Sequence, residues 1–284
     1  MFGIRKGFHN TLWGVISGGQ TRKMAKKSVF REENFIPGVF NYCNAWCERC
    51  PFLLRCRNYA MAADEDGNPI GYRAEGGREK IEDNLRKAIE MPENGDRERD
   101  FDPEKLMNMD EPDPEDVKEW EGEEERQEQD AQKHPLYDLT KAYTERSREW
   151  LDVNEERIDK RLRVLQASLD THNDGARLAN ATEVAHWYVF MIHVKCHRAL
   201  RGISDMHQEH WGSPVQSDAN GSAKVALLGA EGSLSAFVDF CGRVPDSQEE
   251  LLPLISTLRR IIRSIERTFP DVRKFVRAGF DDGQ

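Results

Sequence analysis

The 284-residue chain has no uninterrupted apolar run of the roughly eighteen residues that a membrane-spanning helix needs. It also lacks a basic excess. Its 41 Lys and Arg face 51 Asp and Glu, a formal charge of −10, so no nucleic acid is expected as a partner. Strand-type alternation is missing, which excludes a sheet-built fold. A Gly-rich phosphate loop, a dinucleotide fingerprint, a nucleophile elbow and an internal repeat are absent too. Apolar residues are few, at 38% against 32% charged, and a chain this polar cannot be core throughout. The first nineteen residues mix basic and apolar side chains but have no continuous signal-peptide core. These readings predict a cytoplasmic protein without a membrane span, and leave a protein partner open.

Cysteine is scarce and unevenly placed. Of six in the chain, four fall in the run Asn41-Tyr-Cys43-Asn-Ala-Trp-Cys47-Glu-Arg-Cys50-Pro-Phe-Leu-Leu-Arg-Cys56, spaced C-x3-C-x2-C-x5-C. Only Cys196 and Cys241 lie elsewhere. A packing cysteine behaves as a small hydrophobe that fits anywhere, whereas a metal needs several thiolates converging on one point. In a cytoplasmic setting clustered thiols bind metal more often than they form disulfides. Structural zinc sites usually pair two C-x2-C knuckles across a long loop. Four ligands crowded into one short loop suit an iron–sulfur cluster of the 4Fe–4S kind. Tyr42, Trp46, Phe52 and Tyr59 are placed to shield such a cluster, and Arg49, Arg55 and Arg57 to offset its charge.

The triplet Cys43-x3-Cys47-x2-Cys50 resembles the cluster-binding triplet of radical S-adenosylmethionine enzymes. The stretch Cys47-Glu-Arg-Cys50-Pro-Phe-Leu-Leu-Arg-Cys56 is similar to the C-x2-C-x5-C part of the auxiliary-cluster domains appended to such enzymes. Each likeness covers fewer than twenty residues and implies an iron–sulfur cofactor; the expected function is that of a metal-binding protein with a redox or electron-transfer role. An acidic stretch and helices follow here in place of a β/α barrel, and Ala60 stands where the auxiliary pattern has its next cysteine. With zinc as the alternative cofactor the site is closed, and the chain reads as a zinc-stapled interaction or scaffold protein without catalysis.

Composition divides the chain in three. Residues 1–62 are basic and aromatic and hold the cysteines; residues 63–134 are acidic and nearly free of aliphatic residues, the signature of a largely disordered linker. Within the linker only Arg78 to Met91 has helical spacing. Residues 135–284 are expected to form four helices, at about Leu136–Leu169, Ala176–Ile203 and Asp218–Cys241, then from Asp246-Ser-Gln-Glu to Pro270. The fold class is thus mostly α: a four-helix bundle behind an N-terminal four-cysteine loop. The third of these helices is rich in small residues, which lets a neighbour approach closely.

A second constellation lies on the second of these helices. Glu183, His186, His193 and His197 fall within roughly an 80° arc but span about 21 Å, too far for one ion. They divide into two half-sites, Glu183 with His186 and His193 with His197, the members of each about one turn apart. Glu183-x-x-His186 resembles the Glu-x-x-His element of ferritin-like di-iron bundles, which implies a helical-bundle metalloenzyme; no second such element follows on the fourth helix. Glu155 and Glu231 are candidate further ligands, with His207, Glu209 and His210 just beyond the helix. Packing against Trp187, Tyr188 and Phe190 is the competing explanation for the histidines. Lys224 shares a face with Glu231.

Overall fold

The computed structural model describes residues 28–64, 66–69, 113–167, 173–204 and 213–282. The chain is mostly helical: α1 (Arg57–Met61), α2 (Pro114–Lys133), α3 (Pro135–Ala167), α4 (Asp174–Arg201), α5 (Asp218–Arg243) and α6 (Gln248–Thr268). Among the described residues the extended pairing amounts to one isolated bridge, Ala63 to Pro69.

The expected helical starts and stops are read from caps. Ser217 accepts a hydrogen bond from the Asn220 N–H at the start of α5, and α6 ends just before Phe269-Pro270. α3 packs on α4 and α6, α4 on α5, and α5 on α6. They share one core in which Tyr143, Phe237 and Phe240 are fully buried and Trp150 nearly so. Trp150 lies 5.2 Å from Phe240 and 6.0 Å from Phe237, ring to ring. Each such side chain contributes about 1.5–3 kcal/mol by leaving water. The Trp150 indole N–H donates to Glu250 Oε2 at 2.7 Å, fixing the start of α6 against α3.

The acidic stretch departs from its expected disorder where it is described. Residues 114–133 form a 20-residue helix with one buried residue, Ala131. Asp113 caps it through the Glu115 N–H, Pro114 takes its first turn, and Glu123–Arg126 and Asp130–Lys133 ion pairs run along it. Caps and local pairs thus replace the missing apolar stripe. Arg78 to Met91 and residues 1–27 lie outside the described residues.

By length and composition α5 is apolar enough to cross a membrane, yet half of that window is buried. Its small residues serve close packing. A methyl group at Gly229 would sit 2.9 Å from the Tyr188 ring, and one at Gly221 would sit 2.4 Å from the ring of Tyr42. Those two tyrosines connect the helices to the cysteine loop.

Candidate metal centre

The loop is built from short turns. The segments Glu32–Asn34, Cys47–Arg49 and Leu53–Arg55 are single 3-10 turns, and α1 follows directly. Cys47 opens the second turn, and the Cys50 N–H closes it on the Cys47 carbonyl at 3.1 Å. Cys56 sits between the third turn and α1. The Cys43 thiol donates to the Phe40 carbonyl and its sulfur accepts from the Ala45 N–H, both at 3.4 Å. Ala45 has φ +54°, a left-handed conformation that costs a non-glycine residue about 1–2 kcal/mol. Such strain concentrates at functional sites.

All six cysteines are free thiols, and the four of the loop are partly exposed. Burial raises the Cys47 thiol above its ordinary pKa, and Cys43, Cys50 and Cys56 each raise it further. Cys50 is raised by burial and by Cys43 and Cys56, against the opposing Phe52 N–H. Ionising Cys47 or Cys50 is therefore disfavoured by the neighbouring sulfurs, a repulsion that a cation would relieve. Among the described residues, no three His, Cys, Asp or Glu side chains are placed to hold a metal ion. The thiols are gathered but not closed into a cage.

Aromatic residues seat this loop on the helices. Trp46 stacks on Trp187 of α4 with centroids 4.9 Å apart and planes 12° apart, and meets Tyr188 edge-on at 6.3 Å. Asn44 ties the joint together. Its amide donates to the Tyr188 hydroxyl at 2.8 Å, its carbonyl accepts from the Trp187 indole at 2.9 Å, and its side-chain oxygen accepts from the Trp46 N–H. Arg49 lies 4.2 Å from the Trp46 ring and bonds to Asn180 and Glu183 of α4. Tyr42 donates to Asp218 at 3.1 Å and packs against Phe275, while Phe52 packs against Phe280. Burial and Asp218 push the Tyr42 phenol up to about 12, so it remains a donor. Tyr42, Trp46 and Phe52, expected to shield a cluster, are thus docking anchors; Tyr59 instead packs on Phe30 and donates to the Gly67 carbonyl.

No family model, curated protein or solved structure matches the chain. The functional reading rests on its own residues.

One cation stands near the sulfurs. Lys195 of α4 is close enough to Cys43 for the sulfur to support its charge, although burial and Arg198 pull its pKa down. Arg49 belongs to the Cys47–Arg49 turn itself and is held by Glu183. The expected role of Arg55 and Arg57 is not met in the same way. Arg55 donates to the Asn34 carbonyl, and Arg57 pairs with Glu32 above Phe35.

The α4 constellation is dispersed. Glu183 holds Arg49, and His186 bonds to the Thr182 carbonyl at 2.8 Å. His193 Nδ1 lies 2.9 Å from the Thr140 hydroxyl of α3, and His197 Nε2 lies 3.0 Å from Glu128 of α2. Those two imidazoles stack at 6.3 Å, with Tyr137 edge-on to both. Burial, then His197 and Lys141, lower the His193 pKa, and Glu145 opposes them. Glu183 and His186 thus make separate contacts, while His193 and His197 remain side by side. Glu231 pairs with Arg273, Lys224 donates to the Arg273 carbonyl, and Glu155 is exposed. His207, Glu209 and His210 lie outside the described residues. Sequence reasoning missed Asn44, Trp187, Tyr188 and Gly221 as the joint; the glycines inside the small-residue helix were its one visible sign.

Proposed function

We propose that this is a metal-binding protein in which Cys43, Cys47, Cys50 and Cys56 carry an iron–sulfur cluster with a redox or electron-transfer role. The helices form a four-helix bundle that serves as its platform. The observation that supports this most is the electrostatic grouping of four thiols on one strained loop, where a cation relieves a repulsion that protons otherwise relieve. Metal capture draws the sulfurs together from their present turn positions. Lys195 then offsets part of the charge of a four-thiolate cluster. Trp46, next to Cys47 and stacked on Trp187, couples the loop to α4.

Zinc in place of the cluster is the second reading. It is favoured by the way the loop joins distant parts of the chain, from Phe52 on Phe280 to Tyr42 on Asp218. The site is then a structural staple, and the helices bind a partner without catalysis.

Single Cys→Ser variants at positions 43, 47, 50 and 56, compared with the wild type, test both readings. Under the cluster reading, protein prepared without oxygen shows sulfur-to-iron charge-transfer absorption that bleaches on reduction, and each variant loses most of it. Full colour in all four variants would rule the cysteines out as ligands. A colourless wild type that loses its fold when metal is stripped supports zinc.

A further inference from the structure

The C-terminal half of α6 carries Arg259, Arg260, Arg263 and Arg267, all exposed. They fall within roughly a 100° arc and span about 12 Å. None has an ion-pair partner among the described residues, although acids outnumber bases in the chain. Elsewhere the arginines are mostly engaged: Arg49, Arg57, Arg157, Arg177, Arg198 and Arg243, for example, each meet a carboxylate. The one nearby acid on α6, Glu266, is taken by Arg273. The favourable position of cations at a helix C-terminus accounts for Arg267 but not for the other three, which lie further back.

α2 repeats this spacing with the opposite charge. Glu115, Asp116, Glu119 and Glu123 stand at i, i+1, i+4 and i+8, as do Arg259, Arg260, Arg263 and Arg267. All four acids are exposed, and among the described residues only Glu123 is ion-paired, to Arg126 one turn on. α2 packs on α4 and α3 of its own chain, leaving this ladder turned outward. We propose that the arginine ladder of α6 is the docking face for the acidic ladder of α2 from a second copy of this chain. Rungs about 6 Å apart then meet in register along two helices. The net charge of −10 disfavours a long polyanion on the same face, whereas a short matched helix presents its acids only where the arginines stand. The contact uses different faces on the two partners, so association is head-to-tail and extends beyond a dimer unless it closes into a ring. This inference is independent of the metal reading.

Sedimentation velocity of the full chain tests it. Association should be concentration-dependent at about 0.1 M salt and weaken at least about tenfold at about 1 M, where the screening length falls from about 10 Å to about 3 Å. Replacing the four arginines with Glu, or the four α2 acids with Lys, should each give a monomer of unchanged helicity. Mixing the two variants should restore association, because every remaining ladder then meets its opposite. A wild type that is monomeric at both salts, an Arg→Glu variant that still associates, or a mixture that stays monomeric would each overturn the proposal. So would a monomeric wild type that binds heparin through these arginines, which assigns the ladder to a polyanion.

Discussion

Adding one methyl group at Gly221 is expected to unseat the cysteine loop. The new carbon would lie 2.4 Å from Tyr42 Cε1, 2.5 Å from Tyr42 Cδ1 and 2.7 Å from Phe275 Cζ. Neither ring can swing aside freely. They pack edge-on at 4.8 Å, and Tyr42 is tied to Asp218, which Arg198 grips through two bonds of 2.7 and 3.0 Å. Overpacking of this kind costs about 1–3 kcal/mol. Helix propensity pulls the other way, since Ala in a helix interior is favoured over Gly by about 0.5–1 kcal/mol. The two effects therefore predict opposite signs. Gly221→Ala should lower the melting temperature and change the emission of the stacked Trp46 and Trp187. Gly122→Ala in α2, where nothing lies within 4 Å, should raise helicity. A double-mutant cycle isolates the cause: in a Tyr42→Ala background most of the Gly221→Ala cost should vanish, because Phe275 can move into the vacated space. Equal costs in both backgrounds would mean that the loop does not depend on this contact.

The second large effect is a reversal of pH dependence by the metal. In metal-free protein the folded-state pKa values of Cys47 and Cys50 stand above the ordinary thiol value of about 8.5. The folded chain holds those protons more tightly than the unfolded one. That contribution to stability is fully present below the unfolded thiol pKa and is lost as pH rises through the raised folded values. Metal-free protein should therefore lose melting temperature between about pH 8 and pH 10. In loaded protein the sulfurs are ligands rather than acids, and protons compete with the metal as pH falls. The loaded form should hold its melting temperature through the alkaline range and release metal in acid. Thermal melts across pH, with and without bound metal, measure this directly. Identical profiles would mean that the cysteines are not ligands.

Much of the helical body is legible in the sequence. Leu151, Ile158 and Leu165 repeat at sevens on α3, and all three are buried. Ser217 and Phe269-Pro270 mark a start and a stop. α2 was hidden because its stability comes from Asp113-Pro-Glu-Asp116 and surface pairs, and such a composition also marks disorder. The Asp-Pro start was nonetheless present, an N-cap followed by proline at the first helical position.

The cysteine run was legible in the sequence, and its seating on the helices was not. Cysteine spacing singles out the four thiols, but nothing along residues 41–57 tells that Trp46 stacks on Trp187, because that pairing joins positions 141 apart. The histidines illustrate the opposite limit. A shared helical face puts them in line, yet α2 and α3 each capture one, so that His197 meets Glu128 and His193 meets Thr140. Periodicity predicts which way a side chain points; the neighbour it meets depends on the packing of other elements.

The most direct test of the central claim is the iron, zinc and acid-labile sulfide content of protein purified without oxygen. The account predicts iron and sulfide in near-cluster stoichiometry per chain, lost on replacement of any one of Cys43, Cys47, Cys50 or Cys56 by Ser. One zinc without sulfide would replace the cluster with a structural staple. Protein that holds neither iron nor zinc in the wild type would contradict the assignment of the cysteine loop as a metal centre.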